Sequence, residues 1–431
     1  MKRAVAALCA LTLAGPAMAP SASSQEGRLD GGSPVMAGQD QKEALHFAGG
    51  RIHQAVGFGN TFLVTTKDGN VVIDTSSAFN VTRHRDLLRA VSTAPTRAIF
   101  LTHAHPDHTG GVAAWKEAGT KVVGQANAVE FNNYQTRLAG FFAWRNAAQF
   151  GGRLGTAANP NPGNFAAPKL ADTLVEKEQA LKVGDLTFVA IATPGETPDH
   201  MSVWIPELKA AFVGDNYYAS FPNLYTLRGT TTRYALDYVA SLNRIMALEP
   251  EIVLPSHGVP IEGKAKIRET LTQYRDAIQY VHDATVAGMN QGKDVYTLMR
   301  EIRLPPALEV GEGYGNLIWS IRGIYEGYAG FYDGDPATMY ATPPAAAAGE
   351  LVTLAGGPGP VAARAQALVA TDPELALRLT SSALAVDPNH KAVLAARKAA
   401  LQALLARSKN SNEAGWLRSG IARTDAALNA R

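Results

Sequence analysis

Cysteine is nearly missing from this chain: among 431 residues only Cys9 carries a thiol. It lies in an N-terminal stretch of leader character, Met1-Lys2-Arg3 followed by an apolar run over residues 4–15. A basic start and an apolar run too short to span a bilayer form the pattern of a secretory signal. Ala17-Met18-Ala19 has the small-x-small form of a cleavage site, though Pro20 hinders it, and Ser24 offers a second site that bounds the leader at 1–24. What remains has no thiol and no disulfide, so any metal must be held by histidines and carboxylates. Net charge is also missing. The leader carries off Lys2 and Arg3, and with them the whole formal charge of +2. A neutral chain has no electrostatic footprint for nucleic acid or for an anionic membrane. The expected location is the periplasm or the cell exterior.

What the chain does have is a dense cluster of metal-binding side chains. Residues 102–108 read Thr-His-Ala-His-Pro-Asp-His, and an apolar run over residues 97–101 precedes them. The run predicts a buried strand. A strand that ends in such a cluster delivers several ligands to one point, and imidazole with carboxylate suits zinc. Asp107 and His108 are adjacent and cannot easily share an ion with His103 and His105. The spacing therefore predicts two ions side by side, one on each pair.

Around the cluster, the pattern alternates. Residues 60–66 and 71–75 predict a hairpin about an Asp-Gly turn. Helical spacing follows over residues 83–92 and 111–119, with a strand at Lys121-Val122-Val123. Residues 131–170 interrupt this with Phe131, Tyr134, Phe141, Phe142, Trp144 and Phe150, then Gly- and Pro-rich sequence. So long an insertion is expected to form a lid or pocket wall. Strand-like alternation returns over residues 181–192 and 201–213, then a helix over 234–248 and a strand over 251–254. Beyond Gly263 the pattern is helical over residues 265–290, 295–302 and 318–331. Residues 345–360 read as an Ala/Gly/Pro linker, and two helices flank Asp387-Pro388-Asn389. The expected domains are a leader at 1–24, a flexible lead-in at 25–42, a layered α/β domain at 43–262 and a helical domain at 263–431.

The run at 102–108 resembles the signature of the metallo-β-lactamase superfamily. Residues 193–200, Thr-Pro-Gly-Glu-Thr-Pro-Asp-His, resemble its second ligand loop, with Glu196 where most members carry histidine. Gly214-Asp215 and Ser256-His257-Gly258 resemble two further ligand segments. Glu196, together with residues 223–229, Asn-Leu-Tyr-Thr-Leu-Arg-Gly, and the segment 327–336, resembles the alkylsulfatase branch. The resemblance implies an αββα sandwich followed by an all-α dimerisation region, hence a homodimer. It also implies that the sterol-carrier-like module of longer members is missing here. It implies two zinc ions, one on His103, His105 and Glu196, the other on Asp107, His108 and His257, with Asp215 bridging. Such a pair lowers the pKa of a shared water, which makes Asp107 and Asp215 catalytic candidates. Asp74 is expected to orient a ligand histidine. Of the remaining histidines, His53, His84, His282 and His390 are expected to be structural or superficial, while His200 lies in the ligand loop itself.

Glu196 adds a negative charge where a neutral histidine would stand, so another group must hold an anionic substrate. Arg228 has the planar fork for a tetrahedral oxyanion, and Asn223, Tyr225 and Thr226 stand beside it as further binding candidates. The sequence departs from the branch at Asp215, at Gly258 and at Trp319, which stands where the family carries a histidine near the sulfate. The expected activity is hydrolysis of sulfate esters of apolar alcohols by metal-activated hydroxide. Hydrolysis of carboxylic esters, lactones or other acyl substrates at the same two ions is the alternative.

Overall fold

The computed structural model describes residues 38, 40–151 and 171–430. The expected leader, most of the lead-in and the Gly- and Pro-rich half of the insertion lie outside the described residues. Among the described residues thirteen strands form two sheets. The first runs in order β1 (Leu45–Phe47), β2 (Ile52–Ala55), β3 (Thr61–Thr66), β4 (Gly69–Ile73), β5 (Thr96–Phe100), β6 (Lys121–Gln125) and β7 (Thr173–Val175). Its first four strands pair antiparallel, whereas β4 through β7 pair parallel. The second sheet contains β8 (Glu178–Val183), β9 (Leu186–Ala192), β10 (Met201–Ile205), β11 (Ala210–Gly214), β12 (Ile252–Pro255) and β13 (Ile261–Glu262). Only β11 and β12 pair parallel there.

Period-two alternation builds the layers. In β5, Ala98 and Phe100 face the other sheet, while Ile99 faces an outer helical layer. Between the sheets Phe100 stacks on Phe188 at 5.6 Å and Phe62 meets Phe212 edge-on at 5.1 Å. Outside the first sheet lie α1 (Val81–Arg89), α2 (Pro106–Thr109) and α3 (Val112–Trp115), with Trp115 fully buried. The helix expected over 111–119 is thus reduced to one turn, because Lys116 is already extended. Outside the second sheet lie α6 (Ala235–Ala247), α7 (Lys264–Asn290), α8 (Val295–Glu301) and α9 (Leu317–Ala329). Leu271, Ile278, Leu298 and Ile321 of these helices share one core with Ala211 and Val253 of the sheet. The architecture is an αββα sandwich.

The aromatic insertion is helical where described: α4 (Ala128–Arg137) and α5 (Ala139–Phe150). The expected linker at 345–360 is a correction. It forms α10 (Pro344–Leu354) and the start of α11 (Pro358–Leu368). Alanine is the best helix former, and proline at a first turn lacks only an amide that has no helical partner anyway. Helices α12 (Pro373–Val386) and α13 (Lys391–Arg407) match the expected pair. They pack with α11 around Ala365, Ala376, Ala396 and Ala400. A last helix not foreseen from sequence, α14 (Ser411–Asn429), lies against both α13 and α5. Among the described residues no helix is long and apolar enough to cross a membrane.

Candidate active site

Loops leaving the ends of β4, β5, β9, β11 and β12 meet at one rim of the sandwich, where open α/β sheets commonly bind ligands. Backbone bonds knit the rim: Met201 donates to the Thr102 carbonyl at 2.7 Å, and Ser256 to the Gly214 carbonyl at 3.0 Å. Gly214 has φ +55°, and a Cβ there would stand 2.2 Å from His200 Nε2. Only glycine lets the chain pass so close.

His103 Nε2 and His105 Nδ1 lie 2.8 Å apart. Asp107 Oδ2 stands 3.6 Å from His108 Nε2 and 3.5 Å from His257 Nε2. Asp215 Oδ2 reaches three rings, at 3.2 Å from His257, 3.5 Å from His108 and 4.0 Å from His103. The trio expected for one ion, Asp107, His108 and His257, converges within 4.8 Å, as do His103, His108 and Asp215. His108 Nε2 and Asp215 Oδ1 are buried without a hydrogen-bond partner. Two orphaned atoms of metal-ligating type amid converging imidazoles and carboxylates fit divalent cations such as zinc.

Glu196 stands further back. Its Oε1 lies 4.0 Å from His105 Nδ1 and is ion-paired with Arg233, while its Oε2 accepts from Tyr238 at 2.7 Å. Arg233 corrects the charge argument made from sequence. The buried Glu196–Arg233 pair is neutral, as a histidine would be, so glutamate here adds no net negative charge to the site.

The surrounding charges act accordingly. Burial, with the His108 cation beside one and Arg228 beside the other, holds His103 and His105 well below the usual histidine range. At His257 burial is outweighed by the Asp215 and Asp107 carboxylates, which raise it to about 9. His108 is raised well above its ordinary value against its burial by Asp215, Asp107 and Asp74. Burial opposes ionisation of Asp215 too, yet His257 and His108 keep it well below the carboxylate range. The cluster selects positive charge, supplied by protons or by metal.

The supporting contacts are specific. Asp74, at φ +52°, accepts from Thr102 N at 2.8 Å, from Thr102 Oγ1 at 2.8 Å and from Ser256 Oγ at 2.6 Å, and pairs with His108 Nδ1 at 3.0 Å. It orients His108, as expected. His200 Nε2 accepts the Asp215 amide at 3.1 Å, so His200 acts on the loop of Asp215. Burial lowers its pKa to about 4, which keeps that nitrogen an acceptor. Asp199 Oδ2 accepts the amide of Ala104, between His103 and His105, at 2.8 Å. Of the remaining histidines, His84 is fully buried and held by Thr61 and Val56, and His282 bonds Tyr328.

A cavity opens on this cluster, lined by Phe58, His105, Pro106, Asp107, Gln135, Asn146, Phe150, Glu196, Asp215, Arg228 and Tyr314. Arg228 Nη2 is 3.3 Å from His105 Nε2. The other residues expected beside Arg228 do not line the cavity. Tyr225 packs against α9 at Gly323, and Asn223 and Thr226 are buried in the turn. Trp319 lies in the first turn of α9, where its amide donates to Asn316 Oδ1, and it is not among the residues that line the cavity. Gly258 has φ +78°, and its carbonyl accepts from Gln54 and Asn60, fixing the turn after His257. Sequence reasoning missed Phe58, Gln135, Asn146, Tyr314, Arg233 and Tyr238. The only signal for any of them was the aromatic insertion, which marked the wall without saying which side chains turn inward.

Comparison with known proteins agrees with this geometry. Residues 55–257 match the metallo-beta-lactamase superfamily model, and residues 296–425 match the alkyl sulfatase dimerisation model. A linear primary-alkylsulfatase of Pseudomonas sp. (strain ATCC 19151) is 30% identical over 383 residues, covering 82% of this chain and 72% of that protein. An (R)-specific secondary-alkylsulfatase of Pseudomonas sp. is 26% identical over 82% of this chain and 58% of its own length. The solved structure of a stereoselective inverting sec-alkylsulfatase from Pseudomonas sp. has the same fold, with TM-score 0.77 at 23% identity, covering 88% of this chain and 64% of that one. With its ligand loops at one rim and this likeness running through sandwich and helices alike, the chain belongs to the alkylsulfatases, hydrolases of the metallo-β-lactamase superfamily.

Proposed function

We propose that this chain hydrolyses sulfate monoesters of apolar alcohols with two zinc ions. His103, His105 and Glu196 would hold one, Asp107, His108 and His257 the other, with Asp215 between them. The observation that carries the reading is Arg228, whose guanidinium lines the cavity 3.3 Å from a candidate ligand ring. A fixed planar cation beside a metal cluster suits a tetrahedral oxyanion. The bound cations supply Lewis acidity toward water and toward the developing negative charge. The protein's own groups do the rest. Arg228 donates to sulfate oxygens and orients the ester. Phe58 and Phe150 cover the apolar tail and exclude water from it. The ester and one water yield the alcohol and hydrogen sulfate.

The dimerisation-model match supports a symmetric homodimer, and so do apolar side chains left open to solvent on the segment after α9. Phe331 is 89% exposed, Tyr340 71% and Leu354 83%. Light scattering at micromolar concentration should give twice the chain mass; a monomer rejects this part. The leader-like start supports export, and recovery of the uncleaved chain from the cytosol rejects that.

The activity test is an ester panel with zinc-loaded protein and Arg228→Ala. Alkyl sulfate should be cleaved, and the substitution should raise its KM by about ten- to a hundredfold, the equivalent of a lost charge-assisted contact. Cleavage of an uncharged lactone should barely respond. Cleavage of lactones but no sulfates by the wild type overturns the reading in favour of acyl hydrolysis at the same ligands.

A further inference from the structure

The turn carrying Arg228 is held from outside the sandwich. It is closed by the Gly229 amide donating to Thr226 O at 2.9 Å, with Gly229 at φ +100°. Helix α5 presses on it twice. Arg145 Nη2 donates to the carbonyl of Leu227, immediately before Arg228. The ring of Phe141 covers Gly229, where a Cβ would come within 3.0 Å of Cε1.

Arg145 is in turn gripped by three rings. Its guanidinium carbon lies 4.9 Å from the centroid of Phe141, 5.2 Å from Trp144 and 5.5 Å from Trp416. Trp416 belongs to α14, in the C-terminal helical region. It meets Trp144 edge-on at 6.1 Å and donates to Gln149 Oε1 at 3.1 Å. Gln149 also donates to Asn412 Oδ1 at 2.8 Å. At Gly415 the helices touch so closely that a Cβ would fall 1.9 Å from the Gln149 carbonyl oxygen. Contact runs unbroken from α14 through Trp416 and Arg145 to the peptide that bears Arg228.

We infer that Arg145, locked by Trp416, is the positioning residue for Arg228, and that the C-terminal helix thereby sets the affinity of the site for a tetrahedral oxyanion. The inference rests on the reading of Arg228 as the oxyanion donor. Arginine has many rotamers, and an anchored carbonyl before it fixes the direction in which the side chain leaves the backbone. The fork then stands in place before the anion arrives, which is where preorganisation acts.

The test uses the full zinc-loaded chain, with inorganic sulfate binding by calorimetry and decyl sulfate kinetics read in parallel. Arg145→Met should weaken sulfate binding and raise KM about five- to twentyfold, with kcat falling by less. Trp416→Leu should act in the same direction more weakly, and Trp416→Phe, which keeps a ring, should recover most of the loss. The decisive measurement is Arg145→Met added to Arg228→Ala, which should change sulfate binding no further. A merely structural role for Arg145 would instead lower kcat and metal content together and add to Arg228→Ala; that result overturns the inference. So does sulfate affinity unchanged in Arg145→Met. If the wild type binds sulfate but cleaves no sulfate ester, the proposed function falls, while the binding data still decide the role of Arg145.

Discussion

The cavity has two facing walls, and they are built differently. The metal-ligand wall hangs from the ends of neighbouring strands, and His103, His105, Asp107 and His108 leave β5 within six positions. Its buried supports, Asp74 and His200, sit on the same rim. The opposite wall gathers Phe58, Asn146, Phe150, Arg228 and Tyr314 from four stretches of chain. Phe58 comes from the β2–β3 loop, but α5 supplies Asn146 and Phe150, and α14 reaches α5 from the far end of the sequence. The first wall inherits its precision from the sheets. The second is only as rigid as the docking of α5 and α14.

The largest expected effect breaks the first wall alone. Asp107→Ala should cost more activity than the roughly hundredfold that accompanies loss of a ligand's hydrogen-bonding neighbour. Metal analysis should find about one ion fewer per chain, while the melting temperature stays near that of the wild type, because Asp107 makes little of the core. A collapse of the melting temperature would mean that the two walls are not separable.

Asp74→Asn comes next. It removes the charge that orients His108 and should weaken metal binding about ten- to a hundredfold in chelator competition. Sulfate binding through Arg228 should respond far less than metal binding does. Equal losses on both walls would contradict the comparison.

Acidity should also separate them. His257 is raised to about 9, so below that pH a proton occupies the nitrogen that metal requires. His108 is raised as well, so metal affinity should climb by roughly tenfold or more per pH unit between pH 7 and 9. Arg228 remains charged throughout, so direct titration of the second wall contributes no slope. A flat metal-affinity profile between pH 7 and 9 would refute the charge balance described for the first wall.

The smallest effect lies on the second wall. Asn410 caps α14 and donates to the carbonyls of Glu312, Tyr314 and Gly315 at 2.8, 2.9 and 3.1 Å. Asn410→Ala should cost about 1–2 kcal/mol. Hydrogen exchange should show the loss in α14 and the loop before α9, with metal content intact. Unchanged exchange there would show that the cap does not tie α14 to Tyr314.

The residues themselves determined much of this protein. An unbroken apolar run through β5 specified a strand buried on both faces, and the histidines behind it had nowhere to go but its end. With Cys9 the one cysteine in the sequence, the candidate ligands were imidazole and carboxylate, and Asp74 was legible because it closes the neighbouring strand. These are short-range facts, set by strand period and local spacing. Tertiary structure alone decided which charge compensates Glu196, because Arg233 reaches it across 37 positions. It alone turned Tyr225 and Trp319 away from the cavity and Asn146 toward it, since a helix pattern tells which face is apolar but not what lies opposite. It alone brought Trp416 onto Arg145. Contacts between segments so far apart depend on how finished helices dock, and no local pattern of residues encodes that.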